Sequence, residues 1–307
     1  MCAKPRGASP DASLVLFTIL HPLVDALSAS VLWLGTREWR CFFAYNFCAF
    51  ALQLPFGLAL DRWPGALKRA FAAGVALLAA GGTLAWCGQT SLPILCVCCI
   101  GNALFHLSAG KLLLDRAAGG SGPVGVFIST GVFGLLAGGL FGASCPGVAL
   151  PVLTAGVLVG GVRVLGTVTF SAARRCGVRG LSAADGCLLV GLLALVFWRS
   201  KVNLSGGMCD GTVLLRSAAA LASAVGAAMG GLLADRAGRW LVAGAGIAGS
   251  VLLLGGFGAG MPLVWLAAVF LVQLATGPVL SLVCSAARNA SGTAFGLNCL
   301  ALFASIF

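Results

Sequence analysis

The sequence predicts an all-α polytopic membrane protein, a helical bundle in two pseudo-symmetric halves with about eleven transmembrane helices. Three observations lead there. The 307 residues are 60% hydrophobic and 9% charged, with a mean hydropathy of +1.05, whereas soluble domains carry about 25% charged residues. Apolar runs recur at lengths that cross a bilayer. Lys and Arg collect in every second connection between those runs.

The runs lie at about 12–34, 41–60, 70–88, 91–114, 124–144, 147–163, 186–203, 211–234, 240–259, 262–284 and 291–307. The first follows the basic start "MCAKPRGASPDAS". It is too long for the apolar core of a cleaved leader, so it reads as a span that stays in place. The second closes on Asp61-Arg62, and Lys68-Arg69 precede the third. The fourth ends among Lys111 and Arg116, the sixth at Arg163 and the eighth at Asp235-Arg236. The fifth is rich in Gly, and the chain as a whole has 45 Gly, a composition that suits close helix contact in lipid. The seventh carries Arg199 and Lys201, and the tenth carries Gln273. The eleventh reads "NCLALFASIF".

With the N-terminus inside, the cytoplasmic set holds Lys4, Arg6, Arg62, Lys68, Arg69, Lys111, Arg116, Arg163, Arg174, Arg175, Arg179, Arg236, Arg239 and Arg288. The outer loops hold only Arg37 and Arg40. That asymmetry predicts a multi-pass protein of the cell membrane with a cytoplasmic N-terminus. The basic stretch 163–185 divides the chain into an N-terminal half, 1–163, a linker, 164–185, and a C-terminal half, 186–307. The net charge of +11 is scattered through loops, which excludes a nucleic-acid face. The thirteen cysteines lie mostly within apolar runs and read as small packing residues, so no metal site and no cofactor are expected. The absence of a GxxxxGK[ST] motif argues against direct use of ATP.

An internal repeat stands out. "GLALDR" (Gly57–Arg62) and "GLLADR" (Gly231–Arg236) are offset by 174 residues (231 − 57) and each ends an even-numbered span. The second copy, "GLLADRAGRW", resembles the cytoplasmic signature of the major facilitator superfamily at Gly231, Asp235, Arg236, Gly238 and Arg239. The first copy matches at Gly57, Asp61 and Arg62 and then departs. The fifth span, with Gly131, Gly134, Gly138, Gly139 and Gly142, is similar to the Gly-rich fifth span of the drug-exporting branches. The stretch Ala103–Gly131 looks like the corresponding region of the fosmidomycin-resistance group. The resemblance implies twelve spans, a peripheral twelfth helix missing here through C-terminal truncation, and a central cavity lined by spans 1, 4, 7 and 10. It also implies a monomer in the bilayer that moves a small-molecule substrate together with protons. No enzymatic activity is expected.

Ionisable groups are costly at bilayer depth and mark functional sites by default. His21 and Asp25 stand four residues apart on span 1, as do Asn102 and His106 on span 4, so each pair shares a helix face. With Arg199 and Gln273 they form the expected substrate and proton pathway. His21 precedes Pro22 and can instead serve only the carbonyl that this Pro leaves unpaired. Asp25 and Arg199 are also offset by 174 residues (199 − 25), which predicts opposite charges meeting across the cavity. The alternatives are a transport-inactive or regulatory membrane protein and a membrane haem protein, in which the chain's two histidines would ligate one haem.

Overall fold

The computed structural model describes residues 12–35, 38–170, 182–205, 212–258 and 260–307. Lys4, Arg6, Arg37, Arg174, Arg175 and Arg179, with the middle of the expected linker, lie outside the described residues. The described chain is built from helices, named in order α1 (Ala12–Leu34), α2 (Trp39–Asn46), α3 (Gln53–Arg62), α4 (Leu67–Trp86), α5 (Leu92–Ala117), α6 (Gly122–Ser144), α7 (Pro146–Thr167), α8 (Ala183–Ser205), α9 (Val213–Ala237), α10 (Arg239–Phe257), α11 (Pro262–Gln273), α12 (Thr276–Ala286) and α13 (Ser291–Ala304). Among the described residues ten stretches are long and apolar enough to cross a membrane. The expected eleventh span is a shorter helix, α13, of 14 residues. At 1.5 Å per residue it is about 21 Å long, against roughly 30 Å of hydrocarbon.

Two expected spans are not continuous helices. A π-helical turn, Phe47–Ala51, joins α2 to α3. Pro55 lies just beyond it, and the Gln53 side chain donates to the Ala49 carbonyl at 2.7 Å. The tenth span breaks between α11 and α12 at Leu274–Ala275. Pro278 has no N–H to offer the Leu274 carbonyl, so the ladder is interrupted there.

The N-terminal half packs α1 on α6 and α7, and α4 on α5 and α7. The C-terminal half packs α9 on α10 and α11. Two seams join the halves, α6 against α9 and α3 against α13. Glycine builds a close contact of α1 on α6. A Cβ at Gly134 would collide with the Pro22 carbonyl, one at Gly138 with the Ala26 carbonyl, and one at Gly142 would stand 2.5 Å from Ser30 Cα. Without side chains there, the two backbones meet directly. Pro22 uses that closeness. It leaves the Thr18 carbonyl without its helical donor, and Thr130 on α6 supplies a hydroxyl at 3.0 Å. His21 is therefore not needed for the carbonyl that Pro22 frees.

The glycine seam predicts a contrast. Gly138→Ala should cost about 1–3 kcal/mol through overpacking. Gly166→Ala, which adds its methyl in open space, should be neutral or stabilising by up to about 1 kcal/mol. Thermal unfolding of both variants in detergent measures the difference, and equal melting temperatures would refute the seam.

Candidate functional site

Asp25 lies near the middle of α1 and is 7% exposed. Its carboxylate meets His21 Nε2 one turn earlier at 3.1 Å and His106 Nε2 from α5 at 3.3 Å. Asn102, one turn before His106, donates from Nδ2 to Asp25 Oδ1 at 3.0 Å and to Ser28 Oγ at 3.1 Å. Both expected i, i+4 pairs thus share a face, and the fold turns the two faces toward each other.

The far side of each imidazole is tied to main chain. His21 Nδ1 lies 2.7 Å from the Phe127 carbonyl, and the ring stacks on Phe127 with centroids 4.4 Å apart. His106 Nδ1 lies 2.9 Å from the Asn102 carbonyl. A carbonyl only accepts, so each Nδ1 carries the hydrogen and donates it. In the neutral rings both Nε2 lone pairs then face inward, and the two Nε2 atoms stand 2.6 Å apart beside the carboxylate. Three electron-rich atoms at that spacing require something positive between them. A shared proton satisfies the geometry as it stands. A haem iron does not, because trans imidazole nitrogens at about 2 Å from one iron stand roughly 4 Å apart. The bis-His haem reading is corrected on that distance.

Arg199 forms a second polar centre. It is 7% exposed on α8 and reaches the break in the tenth span. Its Nη1 donates to Gln273 Oε1 at 3.3 Å and to Thr276 Oγ1. These two residues flank the Leu274–Ala275 interruption. Among the described residues no carboxylate lies within ion-pair distance of Arg199. The expected Asp25–Arg199 ion pair is not formed in this conformation. Asp25 is held by His21, His106 and Asn102, all from the N-terminal half, and Arg199 by groups of the C-terminal half. Nor do these residues face an open aqueous cavity. His21, Asn102 and Gln273 are 4%, 4% and 7% exposed, so both centres are enclosed.

The repeated loop motifs close one end of the bundle. Asp61, at the end of α3, accepts from the amides of Gly292 (3.0 Å) and Thr293 (2.7 Å) and from the Thr293 hydroxyl (2.8 Å) at the start of α13. Asp235, at the end of α9, accepts from the amides of Ser121 (2.6 Å) and Gly122 (3.1 Å) at the start of α6. Each carboxylate therefore caps a helix of the other half, where orphan N–H groups and the positive end of the helix dipole favour it. The motif glycines permit this approach. A Cβ at Gly57 would collide with the Gly292 carbonyl, and one at Gly231 would stand 2.6 Å from the Ser121 carbonyl. Gly238, at φ +101°, makes the abrupt turn from α9 into α10 that few other residues adopt. Arg239 bonds Ser285 Oγ at 2.9 Å. Arg62 stacks over its neighbour Trp63, 5.8 Å from the ring centroid, and Arg236 is exposed.

The sequence reading counted Lys111 among the cytoplasmic cations at the end of the fourth run. The structure buries it: Lys111 is 3% exposed inside α5, with Nζ 2.7 Å from Asp61, 3.3 Å from Asp115 and 3.0 Å from Ser291 Oγ. Asp115 was likewise missed. Their only signal was the i, i+4 spacing of Lys111 and Asp115 at the end of an apolar run.

Asp61 and Asp235 should differ in weight. Asp235→Ala removes a partly exposed cap, worth about 1 kcal/mol. Asp61→Ala also takes a partner from a buried ammonium, and should cost on the order of 3 kcal/mol. Both should speed amide exchange at the helix starts they cap, Ser121–Gly122 and Gly292–Thr293 respectively. Hydrogen-exchange mass spectrometry reads this, and unchanged exchange at those amides would remove the caps from the closure.

No protein-family model and no curated protein sequence matches the chain. Solved structures do. The chain is similar to the E. coli fucose:proton symporter FucP, with a TM-score of 0.63 and 14% identity over 95% of this chain and 89% of that one. It is similar to the human organic anion transporter MFSD10 (TETRAN), with a TM-score of 0.66 and 16% identity over 97% and 92%. For the proton:xylose symporter XylE the TM-score is 0.60 and the identity 14%, over 95% and 86%. At these identities the likeness establishes the fold, a helical bundle of the major-facilitator type.

Proposed function

We propose that this chain is a secondary active transporter that moves a small molecule by alternating access, coupled to protons. The observation that carries the reading is the buried acid–base cluster, His21–Asp25–His106, set at mid-helix in a two-halved bundle. A group that accepts and releases a proton at this depth serves a transport cycle, whereas a purely structural core would be cheaper without it. Among the similar structures, FucP and XylE are proton symporters and MFSD10 is an organic anion transporter.

The substrate we assign carries an anionic group. Arg199 is a buried guanidinium whose described partners are neutral, Gln273 and Thr276, and an incoming carboxylate or phosphate would supply the missing charge with bidentate geometry. The broken tenth span suits this role, since interrupted helices line substrate sites in transporters. The cycle would swing one half against the other about the α6–α9 and α3–α13 seams, with Asp61 and Asp235 releasing their helix starts as the closed end opens. The segment Ala103–Gly131 supports a place near the fosmidomycin-resistance group.

In proteoliposomes, Asp25→Asn should abolish accumulation driven by a pH gradient while leaving substrate binding. Arg199→Gln should lower binding of anionic substrates at least tenfold and leave neutral ones unaffected. Wild-type gradient-driven uptake in Asp25→Asn would remove Asp25 as the proton carrier. Equal loss for neutral and anionic compounds would remove Arg199 as the anion site.

The Lys and Arg bias supports a cytoplasmic N-terminus, which places the Asp61 and Asp235 caps on the cytoplasmic face. Single cysteines introduced at Arg163 and at Asp185, with the native thiols removed, should resist impermeant thiol reagents in intact cells. Ready labelling from outside would reverse the orientation.

A further inference from the structure

We infer that His21, Asp25 and His106 form a binding site for one divalent transition-metal ion. Among the described residues this is the one group of three His, Cys, Asp or Glu whose ligand atoms converge, all within 4.8 Å of one another. The inference rests on the cluster's geometry and stands whether or not the chain moves a substrate.

Two imidazole nitrogens and a carboxylate oxygen form a donor set suited to zinc, iron, cobalt or nickel, with coordination positions left over for water or a ligand. The outer contacts are those a metal-binding histidine needs. Each Nδ1–H is anchored on a main-chain carbonyl, Phe127 for His21 and Asn102 for His106. That fixes the tautomer and aims both Nε2 lone pairs at one point. Asn102 holds the carboxylate by a hydrogen bond from Nδ2. Each imidazole nitrogen faces its own carboxylate oxygen, His21 Nε2 with Oδ2 at 3.1 Å and His106 Nε2 with Oδ1 at 3.3 Å, so both oxygens border the point the rings face. The Nε2–Nε2 separation, 2.6 Å, is shorter than the roughly 3.3 Å between two ligands of a tetrahedral ion with bonds of about 2 Å. It fits the shared proton described above, and an ion entering in place of that proton would press the rings apart by about 0.7 Å.

The rest of the site leaves room for this. A Cβ at Gly131 would stand 2.5 Å from both Asp25 Oδ2 and His21 Nε2, so glycine at 131 keeps that space clear. The His106 side chain, 13% exposed, is the most accessible of the three and marks the side of entry. The cysteines do not compete through a cluster of their own, because no described group of three includes one.

The chain has two histidines, which makes a direct test possible on the unmodified protein. Full-length protein labelled with ¹⁵N-histidine, purified in detergent and stripped with chelator, would be titrated with Zn²⁺. Both Nε2 resonances should move together and saturate at one equivalent while both Nδ1 remain protonated. Co²⁺ should give visible d–d bands with no thiolate charge-transfer band in the near ultraviolet. His106→Ala should lose the stoichiometric site, Asn102→Ala should weaken it about 10- to 100-fold, and Gly131→Ala should block it with all three ligands present. Histidine resonances that ignore Zn²⁺, movement of only one of them, or a thiolate band with Co²⁺ would each overturn the proposal in the unmodified protein, whatever the variants do.

Discussion

The direct backbone contact between α1 and α6 is the constraint on which the rest of the structure depends. In lipid there is little hydrophobic force to press helices together, so association relies on close packing and on hydrogen bonds between helices. Gly134, Gly138 and Gly142 allow α6 to meet α1 at the Pro22 and Ala26 carbonyls and at Ser30. The same approach brings Thr130 to the carbonyl that Pro22 leaves bare and the Phe127 carbonyl to His21. It clears the space at Gly131 beside the Asp25 carboxylate. A helix core that would otherwise be expensive, with a histidine, a proline and an aspartate within five positions, is thereby made consistent with its surroundings.

From that anchor the two halves divide the polar work. The N-terminal half concentrates an anionic and basic cluster on α1 and α5. The C-terminal half offers a lone guanidinium beside an interrupted helix. Each centre draws its hydrogen-bond partners from its own half, and Arg199 is left with neutral partners among the described residues.

Much of this was legible in the residues, and what was not has identifiable physical causes. Spacing placed His21 with Asp25 and Asn102 with His106 on common helix faces, because 3.6-residue periodicity is local. That the two faces meet is a matter of helix rotation and crossing, which no spacing encodes, so the Nε2–Nε2 contact across 85 residues went unforeseen. The repeated loop motifs were readable, and their carboxylates do meet helix starts. Lys111 was not readable, because a lysine at the end of an apolar run looks like any snorkelling loop cation until Asp61 and Asp115 are seen beside it. Equal sequence offsets suggested that Asp25 would face Arg199. Offsets carry register along the chain and say nothing of which neighbours reach a charge first. The breaks at Phe47–Ala51 and Leu274–Ala275 were not read, because prolines such as Pro55 and Pro278 also occur in membrane helices that stay continuous.

The exchange of caps between the halves has a consequence for how firmly the closed end holds. Asp61 belongs to the first half and stoppers a helix of the second, while Asp235 belongs to the second and stoppers a helix of the first. Thermal fraying of one stopper leaves the other seated, because they sit on separate seams. If each costs about 1 kcal/mol to release, a lone release occurs with a statistical weight of roughly one in five, whereas simultaneous release falls to about one in thirty, before Lys111 is counted. The barrier therefore behaves like a two-key lock. Small fluctuations release one cap at a time, and only a displacement at both seams together turns both keys at once.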